Sequence, residues 1–182
     1  MAQTWNDRQL GKPGAGGLAN SSAKTASAGV EIVFGKGLVM TTGSSANEGE
    51  VTLPAVNVGS NNTASKQFAG IAGFSQDAGK FKAYGGDRAA IHNNSVVGEA
   101  YIPGDVVKLV DRGPIIVKID TTVRAGDHLY LLASGNFGVV TEASGGTKEA
   151  YKLDAVALSN GVATNNISIE LYSLGATVVK HN

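Results

Sequence analysis

The chain has 182 residues, 42% of them hydrophobic, with 25 glycines and no cysteine. That apolar content suits the core of one domain, and the missing cysteine excludes disulfides, thiolate metal sites and cysteine nucleophiles. Fifteen Lys and Arg balance fifteen Asp and Glu, so the chain lacks the basic footprint that a nucleic-acid partner requires.

Residues 1–28 differ from the rest. Their large apolar side chains are Met1, Trp5, Leu10 and Leu18, set among Gly, Ala, Ser, Asn and Lys. Such a stretch buries too little apolar surface to offset its own ordering entropy. It reads as an extended N-terminal arm that wants a partner, followed by a β-domain over residues 29–182. The arm has no apolar centre of the signal-peptide kind. No stretch of the chain approaches the ~20 apolar residues of a membrane span, so no membrane partner is expected. Gly11-Lys12-Pro13-Gly14 lacks the order of a phosphate loop and follows no strand. Trp5 is the single tryptophan. With no core of its own to enter, it is the first candidate for contact with another chain, and Leu10 and Leu18 are the next.

From Gly29 the pattern turns to β. Residues 30–34 and 38–41 flank Gly35-Lys36-Gly37 as a hairpin. Residues 50–58 alternate at period two, with Pro54 marking an edge or a bulge. Residues 67–74 (QFAGIAGF) are apolar but broken by glycine, which inside a strand marks a bend or a close backbone approach. Residues 80–84 form one short strand, and a short helix is allowed over 87–91.

The stretch from 101 to 140 reads as four strands, over 106–110, 114–119, 128–132 and 137–140, with turns of Gly, Asp, Asn and Arg between them. It echoes itself. Gly104-Asp105 followed by VVKL returns 22 residues later as Gly126-Asp127 followed by HLYL. Two copies are not a repeat array; they read as two similar turns into strands. Residues 151–158 and 167–172 each place apolar side chains on one face. Residues 142–149 read as a loop and 173–182 as a tail. With ten to twelve short strands and no helix of ordinary length, the fold class is all-β, a β-sandwich or barrel with an extended N-terminal arm.

Chemistry is sparse. His92, His128 and His181 have no second ligand at a metal spacing. Ser134 and Ser144 lie beside glycine but outside any nucleophile-elbow pattern. Asp105, Asp111, Asp120 and Asp127 are spread over turns, at no calcium-loop spacing. No cofactor, metal site or enzymatic activity is expected.

The order of turns and strands resembles a known family. Gly70-Ile71-Ala72-Gly73 comes first, then Tyr101-Ile102-Pro103-Gly104-Asp105 and Gly113-Pro114-Ile115-Ile116-Val117. Val123-Arg124-Ala125-Gly126-Asp127-His128-Leu129-Tyr130-Leu131 and Gly135-Asn136-Phe137-Gly138 complete it. Over residues 68–140 this is similar to the capsid decoration, or cement, proteins of tailed bacteriophages. The arm is longer than that family leads one to expect. The resemblance implies a structural protein on the outer capsid surface of a virion, contacting the major capsid protein and itself, commonly as a homotrimer. The residues alone leave a second reading open: a β-sandwich binding module, such as a carbohydrate-binding head or a tail-associated adhesin.

Overall fold

The computed structural model describes residues 13–14, 25–41, 50–53, 66–74 and 100–182. The expected strand over 80–84, the allowed helix over 87–91 and His92 lie outside the described residues.

The fold is all-β, as expected. Among the described residues there are twelve strands and no helix. In chain order they are β1 (Thr25–Ala28), β2 (Ile32–Val33), β3 (Gly37–Thr41), β4 (Glu50–Thr52), β5 (Lys66–Ala72), β6 (Ala100–Tyr101), β7 (Val106–Val110), β8 (Gly113–Lys118), β9 (His128–Leu131), β10 (Phe137–Gly138), β11 (Lys148–Ala157) and β12 (Asn166–His181). Five of them close a barrel in the order β1-β4-β3-β5-β7. Five more make a sheet in the order β10-β9-β11-β12-β8, and β2 pairs with β6 in a third, two-stranded sheet. The β1–β4 pair is parallel. Thr25–Ala28, counted with the arm on sequence, thus supplies a barrel strand, held by β7 on its other side.

Two cores follow from this arrangement. The barrel encloses Ala28, Ile32, Phe34, Leu38, Val51, Ala69, Ala72, Tyr101, Val107 and Leu109. The five-stranded sheet packs its apolar face against the outside of the same barrel, where Val39, Phe68, Ile71 and Val110 meet Ile115, Leu129, Leu131, Phe137 and their neighbours. Strands β3, β5 and β7 therefore feed both cores, through opposite faces of the pleat.

On β5 this double duty needs a bulge. Leu38 pairs with Gly70 while Val39 pairs with Phe68, so Ala69 is the extra residue. Without it, strict alternation would send Ile71 into the barrel. With it, Phe68 and Ile71 both face the sheet, and Ala69 and Ala72 both face inward. Gly70 takes φ +136, and a Cβ there would stand 2.8 Å from the Val110 carbonyl oxygen. Gly70, next to the bulged Ala69, makes the close backbone approach expected of a glycine inside the apolar run.

Three expectations change. Residues 30–34 and 38–41 do not form a hairpin, because Ile32–Val33 pairs with Ala100–Tyr101 instead. Phe34, buried between Phe74 and Tyr101 with ring centroids at 5.2 and 5.3 Å, fixes the chain in that direction. The supposed loop over 142–149 ends early, since β11 begins at Lys148. The supposed tail is the second half of β12, which runs to His181 and pairs with residues 148–153 of β11.

The echoed Gly-Asp turns have one geometry. Asp105 accepts the Ile102 N–H at 3.0 Å through Oδ2, and its own N–H donates to the Ile102 carbonyl at 2.9 Å. Asp127 accepts the Arg124 N–H at 2.8 Å and donates to the Arg124 carbonyl at 3.0 Å. Gly104 and Gly126 take φ +92 and +91 with open space around them, so the turn itself requires glycine. One turn launches β7 into the barrel and the other launches β9 into the sheet.

Candidate interaction surface

Polar side chains gather at two places. The first is the seam between barrel and sheet. Asp120 accepts Ser134 Oγ at 2.5 Å and Asn136 Nδ2 at 2.6 Å. Lys36 donates to the Ser134 carbonyl at 2.8 Å, and burial lowers its pKa. These bonds hold the turn between β9 and β10 against the start of β3. Ser134 faces a carboxylate, and the bonds around it are those of a turn; no base–nucleophile pair is built there.

The second is on the sheet. Glu142 accepts the Tyr130 hydroxyl at 2.8 Å and the Lys152 ammonium at 2.9 Å. The Lys152 and Tyr130 bonds hold the Glu142 carboxyl below its usual range. Burial, then the bond to Glu142, raises Tyr130. The bond to Glu142 raises Lys152. This group ties the chain after β10 to β9 and β11, and its ion pair is exposed. Among the described residues no three of His, Cys, Asp and Glu converge as a metal site. His128 is exposed at the start of β9.

What the surface does offer is apolar. Val30, Val33 and Val106 are exposed on the barrel side. Leu158 and Val162 are exposed around the β11–β12 connection, where Thr164 takes φ +77. Tyr172 and Val178 are exposed on β12. A β-branched residue at positive φ is strained by roughly 1–2 kcal/mol, and strain of this kind collects at functional loops.

Trp5, Leu10 and Leu18, the candidates read from sequence, lie outside the described residues. Pro13 and Gly14, between the last two, are described. The Gly14 N–H donates to the Ile116 carbonyl at 2.7 Å, and the Gly14 carbonyl accepts the Phe74 N–H at 2.9 Å. A Cβ on Gly14, at φ +76, would stand 2.7 Å from the Ala72 carbonyl oxygen. Sequence reading passed over this attachment. Its signal was the Pro-Gly pair, a turn dipeptide in a stretch weighed only as a phosphate loop.

No curated protein matches this sequence. The family described as structural cement protein (E217 gp24/Pam3 gp6) matches residues 2–172. The likeness first visible over residues 68–140 thus extends through both barrel and sheet and into the N-terminal residues. On that match the chain belongs to the phage structural cement protein family, whose members decorate the capsid of the virion.

Proposed function

We propose that this protein binds the outer surface of a phage capsid and stabilises contacts between major capsid protein subunits, as a homotrimer and without catalytic activity. Family membership over nearly the whole chain carries this reading. The surface supports it: exposed Val, Leu and Tyr side chains lie at strand ends and on β12, as a protein that works by contact requires. A sugar platform asks for several exposed aromatics, and among the described residues Tyr172 is the one large aromatic side chain on the exposed surface.

The arm adds reach. Several arms on one oligomer make attachment multivalent, which raises avidity without new kinds of contact. The deciding experiment mixes purified protein with capsids that lack it and sediments them. Co-sedimentation is expected, weakened by Trp5→Ala. Protein left in the supernatant at every concentration overturns the reading. Light scattering tests the trimer, on the capsid as well as free.

A further inference from the structure

Asn160-Gly161 is the one Asn-Gly pair in the sequence, and the fold calls for both residues. A Cβ on Gly161 would run into the Ile167 side chain and stand 2.9 Å from Ile119 Cδ1. Both isoleucines belong to the core shared by barrel and sheet, so position 161 has room only for glycine. Asn160 is exposed, and its Oδ1 accepts the Ala125 N–H at 2.8 Å.

The echoed turns show that this N–H is kept for Asn160. Gly104 and Gly126 take nearly the same φ, +92 and +91. The residue before the glycine is Pro103 in one turn and Ala125 in the other. Proline suits that position when glycine follows, but it has no N–H to give. At position 125 the N–H is present, and Asn160 takes it.

An Asn-Gly pair carries its own chemistry. In a free chain the glycine nitrogen, unhindered by a side chain, attacks the asparagine side-chain carbonyl carbon. The Gly161 N to Asn160 Cγ bond forms, the Cγ–Nδ2 bond breaks, and ammonia leaves with the proton of the Gly161 N–H. Water then opens the succinimide at either carbonyl. One product is aspartate. The other is isoaspartate, whose main chain runs through the side-chain carbons.

In the fold both reacting groups are occupied. The Gly161 N–H donates to the Val123 carbonyl at 2.9 Å, and the Val123 N–H donates back to the Gly161 carbonyl at 2.9 Å. Val123 thus holds the nucleophile while Ala125 holds the electrophile. The Thr164 N–H donates to the Ile119 carbonyl at 2.7 Å, and the Ile119 N–H donates to the Asn165 carbonyl at 3.0 Å. The loop over 158–165 is therefore stitched to residues 119–125 along its length. A bond to Oδ1 also draws electron density from Cγ, which by itself favours attack. With the Gly161 N–H committed to Val123, the pinning prevails.

We propose that Asn160 is a covalent self-modification site, a succinimide-forming asparagine that the Val123 and Ala125 bonds keep unreacted, so that its conversion follows opening of this loop. The inference is independent of the capsid reading. Its two products differ in consequence. Aspartate still offers an oxygen to the Ala125 N–H. Isoaspartate lengthens the main chain by one carbon, which puts the Ala125 and Val123 bonds out of register.

The test incubates full-length protein in mildly alkaline buffer, folded and in urea. Mass spectrometry follows the peptide that holds position 160, and isoaspartyl methyltransferase labelling scores isoaspartate. Conversion in the folded protein should be slower by about ten-fold or more, because it proceeds from a minor open state. Ala125→Pro keeps the turn, as Pro103 does, and removes one of the two bonds. It should raise the folded rate about three-fold and leave the rate in urea unchanged. Asn160→Asp should melt near the parent, and aged protein rich in isoaspartate below it. Three results overturn the proposal: equal rates folded and in urea, no conversion in urea, or an Ala125→Pro rate at or below that of the parent. The first comparison needs no variant, so it decides the matter if Ala125→Pro fails to fold.

Discussion

The Gly37 N–H donates to the Gly135 carbonyl at 2.8 Å, so the first residue of a barrel strand is bonded directly to a turn of the sheet. Both positions are tight. A Cβ on Gly37 would run into the Leu131 side chain and stand 3.1 Å from Phe137 Cζ. Gly135 takes φ +77, and a Cβ there would stand 2.8 Å from Leu53 Cδ2. Gly37→Ala and Gly135→Ala should each destabilise by about 1–3 kcal/mol. For a chain of this size that lowers the melting temperature by roughly 2–4 °C per kcal/mol. Calorimetry on the two variants checks it.

Phe137 and Tyr151 should answer differently to truncation. Phe137 is fully buried in the core shared by barrel and sheet, so Phe137→Ala should cost about 3–5 kcal/mol. The Tyr151 hydroxyl is buried with no hydrogen-bond partner among the described residues, and burial raises its pKa. Removing an unsatisfied hydroxyl relieves a desolvation cost. Tyr151→Phe should be neutral or stabilising in urea unfolding. A loss of more than about 1 kcal/mol would mean that the hydroxyl has a partner.

The Glu142 group predicts slopes at both ends of the pH scale. The Glu142 carboxyl is depressed from 4.5, so the folded state binds its proton less readily than the unfolded chain. Its contribution is present above pH 4.5 and fades as the pH falls through the depressed value. Tyr130 is raised from 10.0. Its contribution is present below pH 10.0 and fades as the pH rises through the raised value. Melting temperatures of Glu142→Gln should fall less steeply in acid than those of the parent, and those of Tyr130→Phe less steeply in alkali. The Lys152 pair is exposed, so salt should shrink the acid effect.

Two truncations locate where the arm ends. Removing residues 1–12 takes away nothing that Pro13-Gly14 or β1 contributes, and the melting temperature should stay near that of the parent. Removing residues 1–28 deletes β1 and opens the barrel between β4 and β7. It also deletes the Gly14 bonds to Ile116 and Phe74. That variant should melt well below the shorter deletion. Equal melting temperatures would mean that the body begins at Gly29.

The elements most legible in the sequence are those whose turns are chemically forced. The Gly104-Asp105 and Gly126-Asp127 turns fix where β7 and β9 start, because the Asp carboxylate and the positive φ leave little choice. Strands β7 and β8 carry enough β-branched residues to be read on sight. Barrel closure was not legible. β1 is TASA, a polar stretch that is a strand only because β4 and β7 flank it. The second half of β12 was missed for a related reason. Its side chains are largely exposed, so no apolar alternation marks it, and pairing with β11 makes it a strand. Ile32 and Val33 looked like half of a hairpin because sequence shows nearness along the chain, whereas their partner lies at Ala100–Tyr101. For the contact surface, the sequence offered Trp5 as an anchor without a place to go.

The barrel is closed by Thr25 opposite Lys108. During synthesis β1 leaves the ribosome first and must wait for more than eighty residues before its second neighbour exists. At about 5–20 residues per second that wait is on the order of several seconds. The sheet is later still, because β11 and β8 are joined only by β12, which ends at His181. The barrel core, whose residues all lie between Ala28 and Leu109, can close while the sheet is still being made, whereas the core shared with the sheet waits for Ile167, Ile169 and Leu171 of β12. A translation product that stops before β12 would carry the barrel strands without the layer that covers their outer face.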